Sequence, residues 1–218
     1  MVDICTMWDD GLVSDLPLIE ELNKRGIKAS FALSPGRYKE WHVLNDSRGS
    51  YGTLININEL SHYAAHDVVS HGVNHYDMTM LSSADLRWEL QHSQMLLSGV
   101  FRRPITGLCY PYGRTDHSTM LLVAEYYKSA RSLPKESKQT AKAGIFKNPH
   151  DVHPSAHWAV PQLVSWVLAN SPKRVLIWGH TYEFGADGLQ RVLEMYDALA
   201  AEGVNFVTFE EIVHARYD

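Results

Sequence analysis

Two carboxylates stand side by side at Asp9-Asp10, at the end of a short apolar run from Ile4 to Trp8 and directly before Gly11. The run reads as a strand buried on both faces. Acids at its end are costly unless they are solvated, paired or bound to a cation. Adjacent strand residues point to opposite faces, so the two serve one site only where the strand has already broken; Gly11 tolerates the backbone angles of such a break. Asp-Gly is also an ordinary turn signal, so the pair takes its meaning from the rest of the chain. Ser70-His71-Gly72-Val73-Asn74-His75 places two imidazoles four residues apart, a spacing that sets both on one face of a helical turn where they can chelate one ion. With a carboxylate from the first position the set becomes two His and one Asp, a facial arrangement that leaves positions for water and substrate. His62 and His66 share the spacing but sit mid-helix ahead of the strand, and are not expected to bind metal. Of His150, His153 and His157, in an irregular segment, His157 is read as lying on the substrate side.

The elements that must position these groups alternate. After the opening strand, Leu16, Leu18, Ile19 and Leu22 recur at helical spacing, with Ser14 as the expected cap and Gly26 as the stop. Residues 27–33 read as a strand and 37–56 as a long loop. Then come a short helix from Asn58 to His66, a strand from Asp67 to His71, a helix opened by Ser82 and running to Gly99, and a strand from Ile105 to Tyr110. Leu121–Tyr127 reads as helix, 128–133 as strand, 134–159 as irregular, Leu163–Leu168 as helix and 174–180 as the clearest strand of all. A helix over Leu189–Leu199, a strand over Val204–Val207 and a helix over Glu210–Ala215 close the chain. Strand and helix alternate about seven times, which predicts a parallel sheet with helical crossovers, either open or closed as a barrel. Without a linker or repeat, one domain over residues 1–218 is expected. Polar residues recur at the strand ends: Asp9-Asp10, Ser70-His71, Tyr110-Pro111-Tyr112 and Gly179-His180. In parallel α/β folds that edge is where active sites are built.

The chain has 218 residues, 45% hydrophobic and 21% charged, the composition of an ordinary globular domain with room for a substantial core. A net charge of −5 gives no electrostatic case for nucleic acid or an anionic membrane as partner. Cys5 and Cys109 sit in separate apolar runs and are expected as reduced core thiols. The chain enters a strand at once, with no basic segment leading into an apolar one, so a cytoplasmic location is expected as the sequence reads, and a secreted one if a leader has been trimmed. There is no Gly-x-Ser-x-Gly, phosphate loop or dinucleotide fingerprint.

Taken together and in order, these blocks resemble the polysaccharide deacetylase family, carbohydrate esterase family 4 with the nodulation-type deacetylases. The family's Thr-Phe-Asp-Asp-Gly becomes Thr6-Met7-Trp8-Asp9-Asp10-Gly11, one residue longer. Its His-Ser/Thr-x-x-His matches His71–His75, its Arg-x-Pro-Tyr-Gly becomes Cys109-Tyr110-Pro111-Tyr112-Gly113, and its apolar strand ending in His matches Leu176–His180. The resemblance implies a distorted (β/α)7 TIM-like barrel and a metal-dependent hydrolase that removes acetyl groups, N-acetyl ahead of O-acetyl, from an acetylated carbohydrate. It implies Asp10, His71 and His75 as ligands of one divalent ion, most often zinc, with cobalt, manganese and nickel as alternatives. Asp9 would be the base that deprotonates the metal-bound water, His180 the acid that protonates the leaving group, and the Tyr112 backbone N–H an oxyanion donor.

Two departures accompany the resemblance. Cys109 stands where the family has the arginine that tethers the catalytic acid, and the family's Asp-rich fourth motif is not recognisable. Arg131, ending the next strand, is the expected source of the missing guanidinium beside Asp9. Tyr182-Glu183-Phe184, directly after His180, is the stretch best placed to reach a ligand, with Tyr182 as its candidate contact. Two other readings keep these residues: a related amidase or deformylase acting on a non-polymeric C–N bond, and a catalytically impaired carbohydrate-binding protein. The presence of both Asp9 and His180 argues against the latter, since a binder needs neither base nor acid.

Overall fold

The apolar runs become strands and the periodic segments helices, in the alternation expected. The computed structural model describes residues 1–38, 43–46, 49–133, 145–147 and 154–214. In chain order these form β1 (Asp3–Asp9), α1 (Asp15–Arg25), β2 (Ser30–Leu33), β3 (Val43–Asp46), β4 (Gly49–Thr53), β5 (Asp67–Ser70), α2 (Ser83–Phe101), β6 (Gly107–Cys109), α3 (His117–Val123), β7 (Ser129–Arg131), β8 (Ile145–Lys147), β9 (Pro154–His157), α4 (Leu163–Asn170), β10 (Arg174–Gly179), α5 (Gly188–Ala201), β11 (Asn205–Phe206) and α6 (Phe209–His214). Seven strands pair in parallel in the order β7-β6-β5-β2-β1-β10-β9 and curl into a distorted half-barrel. β8 adds antiparallel to β9, and β11 pairs with the first residues of β1 below the point where β2 joins it.

Strand alternation sorts the core into two layers. Ile4 and Trp8 of β1 pack outward with helix residues such as Leu18, Leu22, Val192 and Tyr196. Cys5 and Met7 point the other way, into a cluster with Ala32, Val69, Cys109, Leu176 and Trp178 that Phe209 and Ile212 of α6 help to fill. A methyl group on Gly107 would come within 2.9 Å of Val69 and 3.0 Å of Phe209, so this interior is filled with side chains. Along each strand, the next inward position past this cluster is a polar residue: Asp9 follows Met7, His71 follows Val69, and His180 follows Trp178.

Four local expectations are corrected. Ser14 does not cap α1; its hydroxyl is taken by Thr181 at 2.7 Å, and Asp15 instead accepts the Leu12 N–H at 3.0 Å. The segment from Asn58 to His66 is 3-10 rather than α-helical over Ile57–Ala65, with His66 outside it accepting the Ala29 N–H through Nδ1. The region read as a loop over 37–56 contains the β3–β4 hairpin. The region read as irregular over 134–159 contains β9, whose sequence Pro-Ser-Ala-His carries no strand pattern; pairing with Leu176–Trp178 of β10 overrides its weak propensity. The cysteines are both buried and unbridged, on strands separated by β2 and β5. Among the described residues no helix is long and apolar enough to cross a membrane.

Asp15 joins the base of α1 to the turn after β10. It accepts bonds from Leu12 N–H, from the Tyr63 hydroxyl at 2.7 Å and from Thr181 Oγ1 at 2.5 Å, yet burial outweighs these bonds and pushes its carboxyl up to about 6. The folded protein therefore holds this proton more tightly than the unfolded chain does. The stability it contributes is complete below about pH 4 and is lost as the pH rises through about 6, on the order of 3 kcal/mol in all. Urea titrations of wild type and Asp15→Asn are expected to show that loss in the wild type only; parallel pH profiles would contradict it.

Candidate active site

β1 ends where Asp10 and Gly11 take positive φ angles of 85° and 68°. The break therefore includes Asp10 itself, a residue type that tolerates this region better than most. It turns Asp10 to the same rim as Asp9. Gly11 is required by proximity as well as by angle, because a Cβ there would lie 2.3 Å from the Tyr38 hydroxyl. That hydroxyl donates to the Asp10 carbonyl at 2.8 Å and accepts the Ser34 N–H at 2.9 Å, pinning the break to the end of β2.

Asp10, His71 and His75 each offer one donor atom to a cluster whose atoms lie within 4.8 Å of one another, with His75 Nε2 3.3 Å from Asp10 Oδ1. The His71 Nδ1–H donates to the Cys109 carbonyl at 2.7 Å, which leaves Nε2 free to ligate, the arrangement typical of metal-binding histidines. Burial is the main force that lowers His71 to about 4 and His75 to about 3, so both are neutral at pH 7. Burial opposes ionisation of Asp10, but His75, His180, His71 and Arg37 together hold its carboxyl down to about 2. An anionic carboxylate and two neutral imidazoles, one with its tautomer set from behind, fit a divalent cation.

The histidine spacing does not lie on a helix. Gly72 and His75 both have positive φ, and the loop is shaped by Glu89 of α2, whose buried carboxylate accepts the Val73 N–H at 2.6 Å, the Asn74 N–H at 3.0 Å and the Asn74 side-chain amide at 2.6 Å.

Asp9 is only 3% exposed and forms an ion pair with Arg131. The same Arg131 Nη2 lies 2.7 Å from Cys109 Sγ, and the guanidinium sits over the Trp178 ring at 5.5 Å. Cys109 and Arg131 are direct register partners on β6 and β7. The guanidinium beside Asp9 thus comes from the position facing Cys109 one strand further along, and the small thiol leaves room for it to pass.

His180 completes the rim. Its Nε2 is 3.9 Å from Asp9 Oδ2 and 4.0 Å from Asp10 Oδ2, and its ring stacks on Tyr182 with centroids 4.8 Å apart. Burial works against its charge, yet Glu183, Asp9 and Asp10 raise it to about 9. Across the rim Tyr112, at φ 60° in the Pro111–Gly113 turn, is 53% exposed and meets the His75 ring edge-on at 4.8 Å. His157 is not on the open side: it is buried at the end of β9 with Nε2 2.7 Å from Glu183. His150 and His153 lie outside the described residues, and His62 and His66 join no three-residue ligand cluster among those described.

Two residues of this site, Glu89 and Arg37, escaped the sequence reading. Glu89 left a signal, being a charge on the apolar face of α2 beside Leu86, Leu90 and Ser93. Arg37, 3.2 Å from Asp10 Oδ1, left none. Glu183 is read only as part of the stretch near a ligand, whereas its carboxylate folds back onto His157, Trp158 and the His180 backbone.

The fold recurs in solved structures. A family 4 carbohydrate esterase from Streptomyces lividans, in complex with acetate, is 19% identical, with a TM-score of 0.63 over 94% of this chain and 91% of that one. A family 4 acetyl xylan esterase from Clostridium thermocellum, in complex with a cobalt ion, is 15% identical, with a TM-score of 0.61 over 96% and 89%. A family 4 pseudoenzyme from Bacillus anthracis is 15% identical, with a TM-score of 0.63 over 96% of this chain and 64% of that one. At these identities the likeness speaks for the fold alone. No curated protein matches the sequence. The sequence pattern described as polysaccharide deacetylase matches residues 3–129, more than half of the chain, and with it the chain belongs to the polysaccharide deacetylase family.

Proposed function

We propose that this protein is a metal-dependent hydrolase that removes acetyl groups from an acetylated carbohydrate, N-acetyl ahead of O-acetyl. The observation that carries the reading is the convergence on the Asp10–His71–His75 cluster of a buried, arginine-paired Asp9 and of His180, whose Nε2 lies 3.9 Å from Asp9 Oδ2 and 4.0 Å from Asp10 Oδ2. A binding protein has no use for a base and an acid beside such a cluster.

In this reading Asp10, His71 and His75 hold one divalent ion, zinc first among the options, with cobalt, manganese and nickel as alternatives. The ion would supply Lewis-acid activation of water and of the scissile carbonyl. Asp9, paired with Arg131, accepts the proton of the attacking water. The Tyr112 N–H, presented by its left-handed backbone, donates to the developing oxyanion, a contribution worth about 2.7–4 kcal/mol in comparable sites. His180 gives its proton to the departing atom. An amine leaves only when protonated, and a histidine beside the acids at this rim suits that need. Tyr182 and the exposed ring of Tyr112 offer faces on which a sugar can stack.

The test is acetate release from a panel of acetylated mono- and oligosaccharides, with added divalent ion and with chelator. Release from at least one N-acetylated sugar, lost on chelation and restored by metal, is expected. No release from any substrate in the panel would contradict the reading.

Glu89 bears on the same site through the loop between the two histidines. Glu89→Gln keeps the shape but replaces an acceptor oxygen with an amide, and is expected to weaken divalent-ion binding about 10- to 100-fold. Competition against a chromophoric chelator reads this directly; unchanged affinity would show that the loop holds its form without the carboxylate.

A further inference from the structure

We propose that Glu183, locked by His157 and Trp158, is the positioning residue of His180, fixing the ring so that Nε2 faces the cleft; this rests on the reading of His180 as proton donor. Glu183 lies on the one-turn 3-10 segment Thr181–Phe184 that follows β10, and its side chain folds back over the strand end. One carboxylate oxygen, Oε2, accepts three N–H groups: His157 Nε2 at 2.7 Å, Trp158 Nε1 at 3.2 Å and the His180 backbone at 3.0 Å. The tautomer of His157 follows from its other nitrogen, which accepts the Ala159 N–H at 3.3 Å, so the proton must sit on Nε2 and point at Glu183. With Oε2 held from three sides the carboxylate cannot swing away. Its second oxygen, Oε1, then stands 3.4 Å from His180 Nδ1, a buried nitrogen that makes no aligned hydrogen bond among the described residues. Contacts of this length in substrate-free sites tighten into hydrogen bonds when the site is engaged. Gly179 makes the approach possible, because a Cβ there would lie 2.2 Å from the Trp158 ring and 3.3 Å from Glu183 Oε2.

The arrangement has a chemical consequence. A carboxylate behind Nδ1 keeps a proton on that nitrogen, so the proton His180 delivers is the one on Nε2, the atom 3.9 Å from Asp9 and 4.0 Å from Asp10. His157 acts one step further back: its part is to hold Glu183, not to touch substrate.

A merely structural Glu183, capping the turn after β10, predicts a different outcome from a positioning one. Glu183→Gln and His157→Gln are compared with wild type on an N-acetylglucosamine oligomer, whose leaving amine needs a proton, and on 4-nitrophenyl acetate, whose leaving group does not. The expected result for Glu183→Gln is a fall in kcat of about 30-fold or more on the amide, a fall at least about tenfold smaller on the aryl ester, and metal content equal to wild type. His157→Gln follows the same pattern with smaller amplitude. Equal losses on both substrates, no loss on either, or loss of the ion along with activity would overturn the proposal. Nitrogen-15 NMR of the histidine rings tests it independently of turnover. A Nδ1–H signal of His180 shifted downfield in wild type and lost in Glu183→Gln is expected; identical spectra would overturn the assignment. Should wild type act on neither substrate, the deacetylase reading falls, and the NMR result still decides the role of Glu183.

Discussion

Asp9→Asn is expected to lower acetate release by about 10²- to 10⁴-fold while the divalent ion stays bound. The substitution changes one atom. The amide oxygen still accepts from Arg131, so the side chain keeps its place at the end of β1, but it can no longer take a proton. The ligand set Asp10, His71 and His75 is untouched. This separation is possible because the chain breaks at Asp10, where φ is 85°, so that neighbouring acids reach one rim with different partners: Asp9 has Arg131, and Asp10 has the histidines and Arg37. Metal analysis and acetate assays on the same preparation check both halves of the prediction. Full activity in Asp9→Asn, or loss of the ion with the activity, would show that the two acids are not divided in this way.

The second large effect is expected at Arg131. Arg131→Met preserves much of the side-chain volume over Trp178 but leaves Asp9 buried without its cation. Breaking a buried ion pair on one side typically costs about 3–5 kcal/mol, because the remaining charge must either stay unsolvated or take up a proton. Either course removes the base. Turnover is therefore expected to fall about 100-fold or more, together with a loss of several kcal/mol in urea unfolding. Cys109 and Arg131 face each other in register, so the guanidinium can be offered from either side. The double variant Cys109→Arg/Arg131→Met, which returns the arginine to the strand where the family carries it, is expected to recover part of both losses. Unchanged turnover in Arg131→Met would show that Asp9 is held by other means.

Much of the site was legible because the fold converts sequence position into geometry in a simple way. An apolar strand that ends in a polar residue presents it at the rim, and Asp9, His71 and His180 each extend an inward row that begins with a core residue. The order of these blocks also made the parallel half-barrel readable, since each strand is followed by a periodic segment that returns the chain to the same end. What was not legible depends on contacts distant in sequence. The His71–His75 spacing suggested a helical turn, but Glu89 captures the two amides between the histidines and draws them into a loop instead. Ser14 carried the sequence signal of a cap, yet its hydroxyl went to Thr181, 167 positions away. β9 has no pattern of its own and exists through its neighbour β10. His157 was read as facing substrate because its segment seemed irregular; as the last residue of a strand it is buried instead and points at Glu183. In each case the deciding partner lies well along the chain, and local periodicity holds no record of such pairings.

The central claim is that Asp10, His71 and His75 form one divalent-metal site. Metal content by mass spectrometry, on wild type and His71→Ala prepared side by side after loading with zinc and removal of the excess, tests it most directly. About one ion per chain in wild type and none in His71→Ala is the result predicted. Wild type that retains no ion, or His71→Ala that retains as much, would contradict it.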